Sequence, residues 1–346
     1  MIAINSKKVA LIGDIHIGVN KNSEEYFELT KTWMKMFIDE LVSRKINTVF
    51  ILGDWHHYRD DILVKTLDVS SKIMNMFPKN ITIHMITGNH DCYFRDNSEI
   101  HSLRSFNEWE NVNIYDEVTE LKIVGDKTIT LVPWGCDINT IQPSEYVFGH
   151  FEIQNFKWNS FSVCEHGLDS SDLLKNGVNI YSGHFHKYQT KEYKRGSITY
   201  LGSPIQHNFN DVGNENGFHI LDLDSGEREF VTNDDMPVYK YIKVSKIKDD
   251  LTKENICGNF IKLFIDIDGV TEGKLDKLSA KIHQHLPRSL VIEDKTLKKD
   301  IDNREFDGII EVIDISGSFK EYIDTLDIKY KAETLEAVKK YYETTK

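Results

Sequence analysis

The sequence predicts an α/β protein: a four-layer α-β-β-α sandwich followed by a small α+β unit and a terminal pair of helices. Three observations predict it. The opening third alternates β-branched runs with amphipathic segments, the texture changes to short strands and turns after about residue 111, and a new pattern starts near Pro237.

In order along the chain, residues 9–12, 48–52 and 81–86 are short, apolar and bounded by turn residues, as buried strands are. Between them, residues 24–43 and 63–77 carry apolar side chains at three- and four-residue spacing, which predicts helices. This βαβαβ opening implies parallel pairing with covering helices. Residues 113–115, 120–124, 128–132, 146–148, 179–181, 197–201 and 218–223 read as strands of a second, mostly antiparallel sheet. Two sheets face to face with helices outside would bury the apolar faces of both. The second unit comprises strands 239–244, 260–267 and 289–293 with a helix at 272–285, then a polar loop at 295–307. Phe319, Tyr322, Ile323 and Leu326, and then Leu335, Val338 and Tyr342, form two apolar helical stripes. These pack on their own domain or dock a partner protein. The expected domains are 1–236, 237–315 and 316–346.

Composition sets outer limits. At 346 residues the chain has the length of two domains, and 40% hydrophobic with 11% aromatic residues excludes a disordered chain. Lys and Arg number 42 against 55 Asp and Glu, a formal charge of −13 that excludes coating nucleic acid through overall charge. A local basic strip or a metal site remains compatible with nucleic acid. Four separated cysteines with no CxxC pair point to reduced thiols rather than disulfides or a cysteine zinc site. No apolar leader core opens the chain, and no run approaches the ~18 apolar residues of a membrane span. A soluble, cytoplasmic protein with no membrane partner is expected.

Five motifs carry the chemistry: Gly13-Asp14-Ile15-His16, Gly53-Asp54-Trp55-His56-His57, Gly88-Asn89-His90-Asp91, Gly149-His150 and Gly183-His184-Phe185-His186. Each places a glycine after a predicted strand, where the turn favours it, and then a carboxylate, amide or imidazole at the strand's carboxyl end, where open α/β sheets hold ligands. One Asp after Gly is commonly a turn residue. Five in series are a metal-ligand pattern. Oxygen and imidazole donors without thiolate suit Mn²⁺ or Fe²⁺, with Zn²⁺ as a further option, and disfavour Ca²⁺. The donors are too many for one ion, and two ions roughly 3.5–4 Å apart joined by one carboxylate would absorb them. Such a pair neutralises charge developing on a phosphoryl oxygen and activates water, so in-line phosphoester hydrolysis is the reaction class it serves.

On these five motifs, over roughly residues 7 to 205, the sequence resembles the calcineurin-like metallophosphoesterases. Gly-Asn-His-Asp at 88–91, Gly-His-Phe-His-Lys-Tyr-Gln at 183–189, Tyr-Leu-Gly-Ser-Pro-Ile-Gln at 200–206 and Gly217-Phe218 make it similar to the SbcD-type (meiotic recombination eleven-like) nucleases, especially compact phage-encoded relatives. That resemblance implies a first metal on Asp14, His16, Asp54 and His186, and a second on Asp54, Asn89, His150 and His184, with Asp54 bridging. It implies His90 as the catalytic histidine outside the ligand set, oriented by Asp91, and His57 as a phosphodiester contact. It further implies two Mn²⁺ ions, 3′→5′ exonuclease and endonuclease activity on DNA ends in recombination and repair, a homodimer, and an SbcC-type SMC-like ATPase partner. Residues 237–315 then stand where the family carries a DNA-capping domain, and 316–346 where it carries the ATPase-binding segment. The location would be the cytoplasm, that of the host if phage-encoded.

Trp55, His56 and Glu152 depart from the family pattern without falling on a ligand position, and His56 is read as core or as lining the substrate entrance. His84, His166, His207, His219, His283 and His285 are read as structural. Lys187, Lys191, Lys194 and Arg195, interleaved with Tyr188 and Tyr193, are a phosphate-contacting strip or a solvated hairpin, whereas Arg59 and Arg95 follow motifs and sit nearer the metals. The alternative function is a phosphoesterase for small molecules or phosphoproteins. The second motif, Gly-Asp-Trp-His-His-Tyr-Arg, lacks the Gly-Asp-x-Val-Asp-Arg-Gly of such protein phosphatases, and His57 stands where purple-acid-type enzymes place a tyrosine. A non-catalytic scaffold is the third reading, disfavoured because every ligand-type position is intact.

Overall fold

The computed structural model describes residues 3–294 apart from 124 and 126, together with residue 296. The described residues up to Glu293 belong to one compact unit. The 315/316 boundary, the terminal helices and, save residue 296, the loop expected at 295–307 lie outside the described residues.

The strands are β1 (Ala3–Ile4), β2 (Lys8–Ile12), β3 (Thr48–Leu52), β4 (Thr82–Ile86), β5 (Val112–Tyr115), β6 (Thr119–Ile123), β7 (Thr128–Val132), β8 (Ser144–His150), β9 (Gly177–Gly183), β10 (Gln189–Tyr193), β11 (Gly196–Tyr200), β12 (Gly217–Asp222), β13 (Arg228–Thr232), β14 (Tyr239–Lys243), β15 (Phe260–Ile265) and β16 (Ser289–Asp294). They form a six-stranded sheet ordered β13-β12-β2-β3-β4-β5, a seven-stranded sheet ordered β1-β6-β7-β8-β9-β11-β10, and a three-stranded sheet β14-β15-β16.

Alternation along β2 and β3 shows how the layers arise. Ala10, Ile12, Val49 and Ile51 face the helices, while Val9, Leu11, Phe50 and Leu52 face the second sheet's Leu131, Phe148 and Tyr181. The helix Glu24–Ser43 starts at Ser23, whose side chain accepts from the Tyr26 N–H, with Glu24 and Glu25 complementing the helix dipole. It buries Phe27, Trp33, Met34, Phe37 and Leu41 in one stripe, each side chain worth about 1.5–3 kcal/mol. The helix Val64–Met74 packs beside it through Val69 and Ile73.

Three expectations are corrected. The second sheet is mostly parallel, since β1–β6, β7–β8, β8–β9 and β9–β11 all pair parallel. Parallel neighbours need crossovers of about a dozen residues or more, and segments 133–143 and 151–176 supply them. These crossovers contain only short helical turns, Ile138–Thr140 and Ser170–Leu173, so the outer face of this sheet is covered by irregular chain around Phe151, Phe156 and Leu173 rather than by long helices. Strands β5 and β12 also belong to the first sheet, β5 parallel to β4 and β12 antiparallel to β2. Periodicity reports a strand but not its neighbour.

In the smaller sheet β14 and β15 run parallel, and the helix Glu272–Gln284 covers it through Leu278 and Ile282. Tyr239 and Phe260 leave that core for the main one, stacking at 4.5 Å, while Tyr239 donates its N–H to Gln206 Oε1 at 2.7 Å. No helix among the described residues is long and apolar enough to cross a membrane.

Candidate metal centre

All five motifs leave carboxyl ends of strands, β2, β3 and β4 in one sheet and β8 and β9 in the other, so the site forms where the two sheets meet. Hydrogen bonds tie the loops. Asp14 N–H donates to the Gly53 carbonyl (3.1 Å) and His16 N–H to that of Asp54 (2.9 Å). Across the sheets, His184 N–H donates to Asp14 Oδ1 (2.8 Å) and His150 Nδ1 to the Leu52 carbonyl (2.7 Å).

The motif glycines serve mainly for close approach. Among the motif glycines Gly53 has positive φ (86°), and left-handed backbone otherwise falls on the functional residues themselves, with φ of 56° at Asp14, 52° at His16, 54° at Asp54 and 91° at His184. Such conformations cost about 1–3 kcal/mol each and persist where surrounding structure imposes them. Gly88 is required because a Cβ there would overlap the Asp54 carboxylate and its backbone N. Gly88→Ala is expected to lower unfolding free energy by about 1–3 kcal/mol, the cost of overpacking, read from the urea midpoint. An unchanged midpoint would mean that the loop gives way.

The seven expected ligands are brought together. Asp54 Oδ2 lies 3.4 Å from both His16 Nε2 and His150 Nε2, which puts Asp54 between the two groups. Asn89 Oδ1 lies 2.9 Å from His150 Nε2 and 2.8 Å from His184 Nδ1. His16 Nε2 and His186 Nε2 stand 3.1 Å apart. Donor atoms of Asp14, His16 and Asp54 lie within 4.8 Å of one another, as do those of Asp54, His150 and His184. Asp14 Oδ2 is buried with no hydrogen-bond partner. Facing imidazole nitrogens and orphaned carboxylate oxygen are unfavourable unless a proton or cation lies among them, so the donor set fits divalent cations.

The electrostatics agree. Burial raises Asp14 to about 6. Burial also acts upward on Asp54, but the His150 charge beside it holds this carboxyl well below its ordinary range. Burial keeps His16 and His184 neutral, as ligands must be. Against burial, Asp54 lifts His150 to about 9 and Asp211 lifts His186 to about 9. Both imidazoles must lose that proton to bind a cation. Apparent Zn²⁺ or Mn²⁺ affinity should therefore rise from pH 6 towards 9 with proton release, measurable by calorimetry in buffers of different ionisation enthalpy. Affinity independent of pH would remove these two ligands.

His57 and His90 stand at the edge of the cluster, with rings stacked at 5.2 Å and 14°. His90 Nδ1 faces the His57 carbonyl at 2.5 Å, and His57 Nδ1 faces His16 Nδ1 at 3.1 Å. The orientation expected from Asp91 thus comes from the His57 backbone. Asp91 instead accepts from the N–H groups of Gly88 (2.9 Å), His56 (3.0 Å) and Trp55 (3.3 Å), clamping the second and third motif loops. His56 is buried between Ser102 Oγ (2.7 Å) and Ser70 Oγ (2.9 Å), so it is core and not entrance. A cleft of about 530 Å³ opens over the cluster, lined by Tyr58, Arg59, His90, Arg95 and Trp134.

Three further residues join the site. Glu152 Oε2 lies 3.5 Å from His184 Nε2, so this departure does touch a ligand position. Asp211 Oδ1 lies 3.6 Å from His186 Nδ1 and turns its Nε2 towards His16. His207, read as structural, is buried beside His16 and His186. Its only sequence signal is that it follows the 200–206 phrase directly. Part of the basic strip is engaged within the fold: Lys191 donates to the Asn155 carbonyl (2.7 Å), Tyr193 to Ser170 Oγ (3.0 Å), and Tyr188 stacks on Phe230, whereas Lys194 and Arg195 are exposed.

A family model described as calcineurin-like phosphoesterase matches residues 7–188. Similar solved structures include a novel archaeal phosphodiesterase (14% identity, 65% of this chain and 99% of that one, TM-score 0.37). A protein of Streptococcus pneumoniae TIGR4 described as a predicted phosphoesterase is also similar (16%, 66% and 91%, TM-score 0.34), as is zinc-complexed Vps29 of Entamoeba histolytica (15%, 65% and 98%, TM-score 0.33).

Proposed function

The chain belongs to the calcineurin-like phosphoesterase family, and from that premise we propose that it is a two-metal phosphodiesterase acting on DNA, the nuclease subunit of an SbcCD-like end-processing complex in recombination and repair. One observation carries the substrate class. The cleft beside His57 and His90 presents two guanidinium groups, Arg59 and Arg95, with the rings of Tyr58 and Trp134. Arginines suit phosphate oxygens and aromatic faces suit bases, so this wall fits a strand with nucleotides on both sides of the scissile bond. Asp60 and Asp61 share the wall, so attraction for phosphate rests on the two arginines and on bound cations.

Asp14, His16, Asp54 and His186 would hold one cation, and Asp54, Asn89, His150 and His184 the other. When bound, the pair neutralises charge on the phosphoryl oxygens and lowers the pKa of an attacking water. With its Nδ1–H given to the His57 carbonyl, His90 has Nε2 for proton exchange with the leaving oxygen. His57, stacked on that ring, contacts the phosphodiester. Mn²⁺ as the working metal, homodimerisation, and ATPase docking through residues 316–346 belong to the same reading.

The test is cleavage of hairpin, blunt and single-stranded DNA with Mn²⁺ or Mg²⁺, with and without a candidate ATPase, beside bis-p-nitrophenyl phosphate and a cyclic nucleotide. Cutting of DNA supports the reading. Hydrolysis of the small diesters with DNA untouched moves the assignment to a small-molecule phosphoesterase. Retained ATPase binding after deletion of 316–346 would remove the docking segment.

A further inference from the structure

The loop after β11 carries an imidazole that the five motifs leave out. The backbone of His207 is anchored on both sides. Its N–H donates to Asp211 Oδ2 at 2.8 Å, and its carbonyl accepts from Asn20 Nδ2 (2.8 Å) and the hydroxyls of Tyr239 (3.1 Å) and Tyr26 (3.3 Å). The ring is 1% exposed, yet neither of its nitrogens has a hydrogen-bond partner. A buried imidazole unsatisfied at both nitrogens is costly, and a fold that orders one holds it for something other than protein.

Its neighbours indicate what that is. The His207 ring lies 5.1 Å from that of His16 and 4.8 Å from that of His186, and donor atoms of all three lie within 4.8 Å of one another. Asp211 links the pair, with Oδ2 on the His207 backbone and Oδ1 facing His186 Nδ1. One turn of chain therefore sets both rings.

We propose that His207 is a further ligand of the cation held by Asp14, His16, Asp54 and His186, giving that centre three imidazoles. The proposal rests on the two-cation reading above. A third nitrogen donor favours cations that accept imidazole, such as Zn²⁺, Fe²⁺ and Co²⁺, over Mg²⁺, which takes oxygen and retains its waters. The two centres then differ in metal preference, the one containing His207 being the more discriminating.

The experiment titrates the full-length protein, the parent beside His207→Ala and His207→Gln, with Zn²⁺, Co²⁺ and Mg²⁺ by calorimetry. It also counts imidazole nitrogens on bound Mn²⁺ by electron spin-echo modulation. The parent is expected to bind two Zn²⁺ equivalents. In the variants one of the two affinities should fall by at least about tenfold, the lower end of what even outer partners of a metal contribute. One nitrogen coupling should disappear, and Mg²⁺ affinity should stay unchanged. The anchors of His207 are backbone groups, so thermal unfolding of the cation-free variants should match the parent. If the alanine variant does not fold, the glutamine variant provides the readout. Unchanged Zn²⁺ affinities and nitrogen count in a two-cation parent overturn the ligand alone, and a third equivalent lost in the variants overturns it in favour of a separate site. A parent that binds no divalent cation overturns the two-cation reading and this ligand with it.

Discussion

Asp54→Ala is expected to empty both centres at once, reducing bound divalent cation from two equivalents towards none and cleavage by about 10³-fold or more. The magnitude follows from the several kcal/mol that metal charge supplies to a phosphoryl transition state, at 1.36 kcal/mol per tenfold in rate. The structural cause is the shared position of this carboxylate, 3.4 Å from His16 Nε2 on one side and from His150 Nε2 on the other. It also accepts the His90 N–H at 2.8 Å, so its loss loosens the third motif loop. Losing any other ligand should weaken one centre more than its neighbour. Metal analysis of the purified variant checks this, and a variant that keeps two equivalents would deny Asp54 the bridging place.

His90→Ala should separate metal binding from chemistry. Both equivalents should remain, because no expected ligand is touched, while cleavage falls by about 10²–10⁴-fold, the usual contribution of a positioned acid or base. The ring sits over the cluster with one nitrogen committed to the His57 carbonyl, so its removal takes away a proton donor without altering a carboxylate. Rate and metal content measured on the same preparation decide it. A variant that cuts at the parent rate has no role for His90, and one that loses metal makes it a ligand.

The strand and helix pattern of residues 8–86 was legible in the sequence because each segment there is apolar with one clear period, and β3 and the helix Glu24–Ser43 have the expected bounds. The pattern was less informative for β5 and β12, which look like any short strand: β5 pairs with β4, the strand before it, and β12 takes β2 from the opposite end of the chain as its partner. Strands β10 and β13 were not expected. Gln189–Tyr193 is polar and half-exposed at a sheet edge, so no apolar alternation marks it.

The motif residues could be picked out by type and position, since a Gly followed by a ligand-type side chain after a strand recurs five times. Which of their neighbours mattered could not. His56 and His57 are adjacent and chemically identical, yet one is fixed between two serines and the other faces the cluster. Asp91 has the position of a residue that orients His90, yet it faces three backbone N–H groups. His207 and Asp211 lie in a loop with no motif of its own and reach the site only because Tyr26, Tyr239 and Gln206 pin that loop against it.

Residue types and their local periods alone thus establish an α/β chain whose strand ends carry enough oxygen and imidazole donors for two cations. Only the tertiary structure decides the parallel pairing of the second sheet, the left-handed backbone at Asp14, His16, Asp54 and His184, and the inclusion of Glu152, His207 and Asp211. The physical reason is range. Strand period and turn chemistry are set by neighbours a few residues away, whereas coordination is set by where side chains from both sheets and a distant loop converge, and no local pattern records that distance.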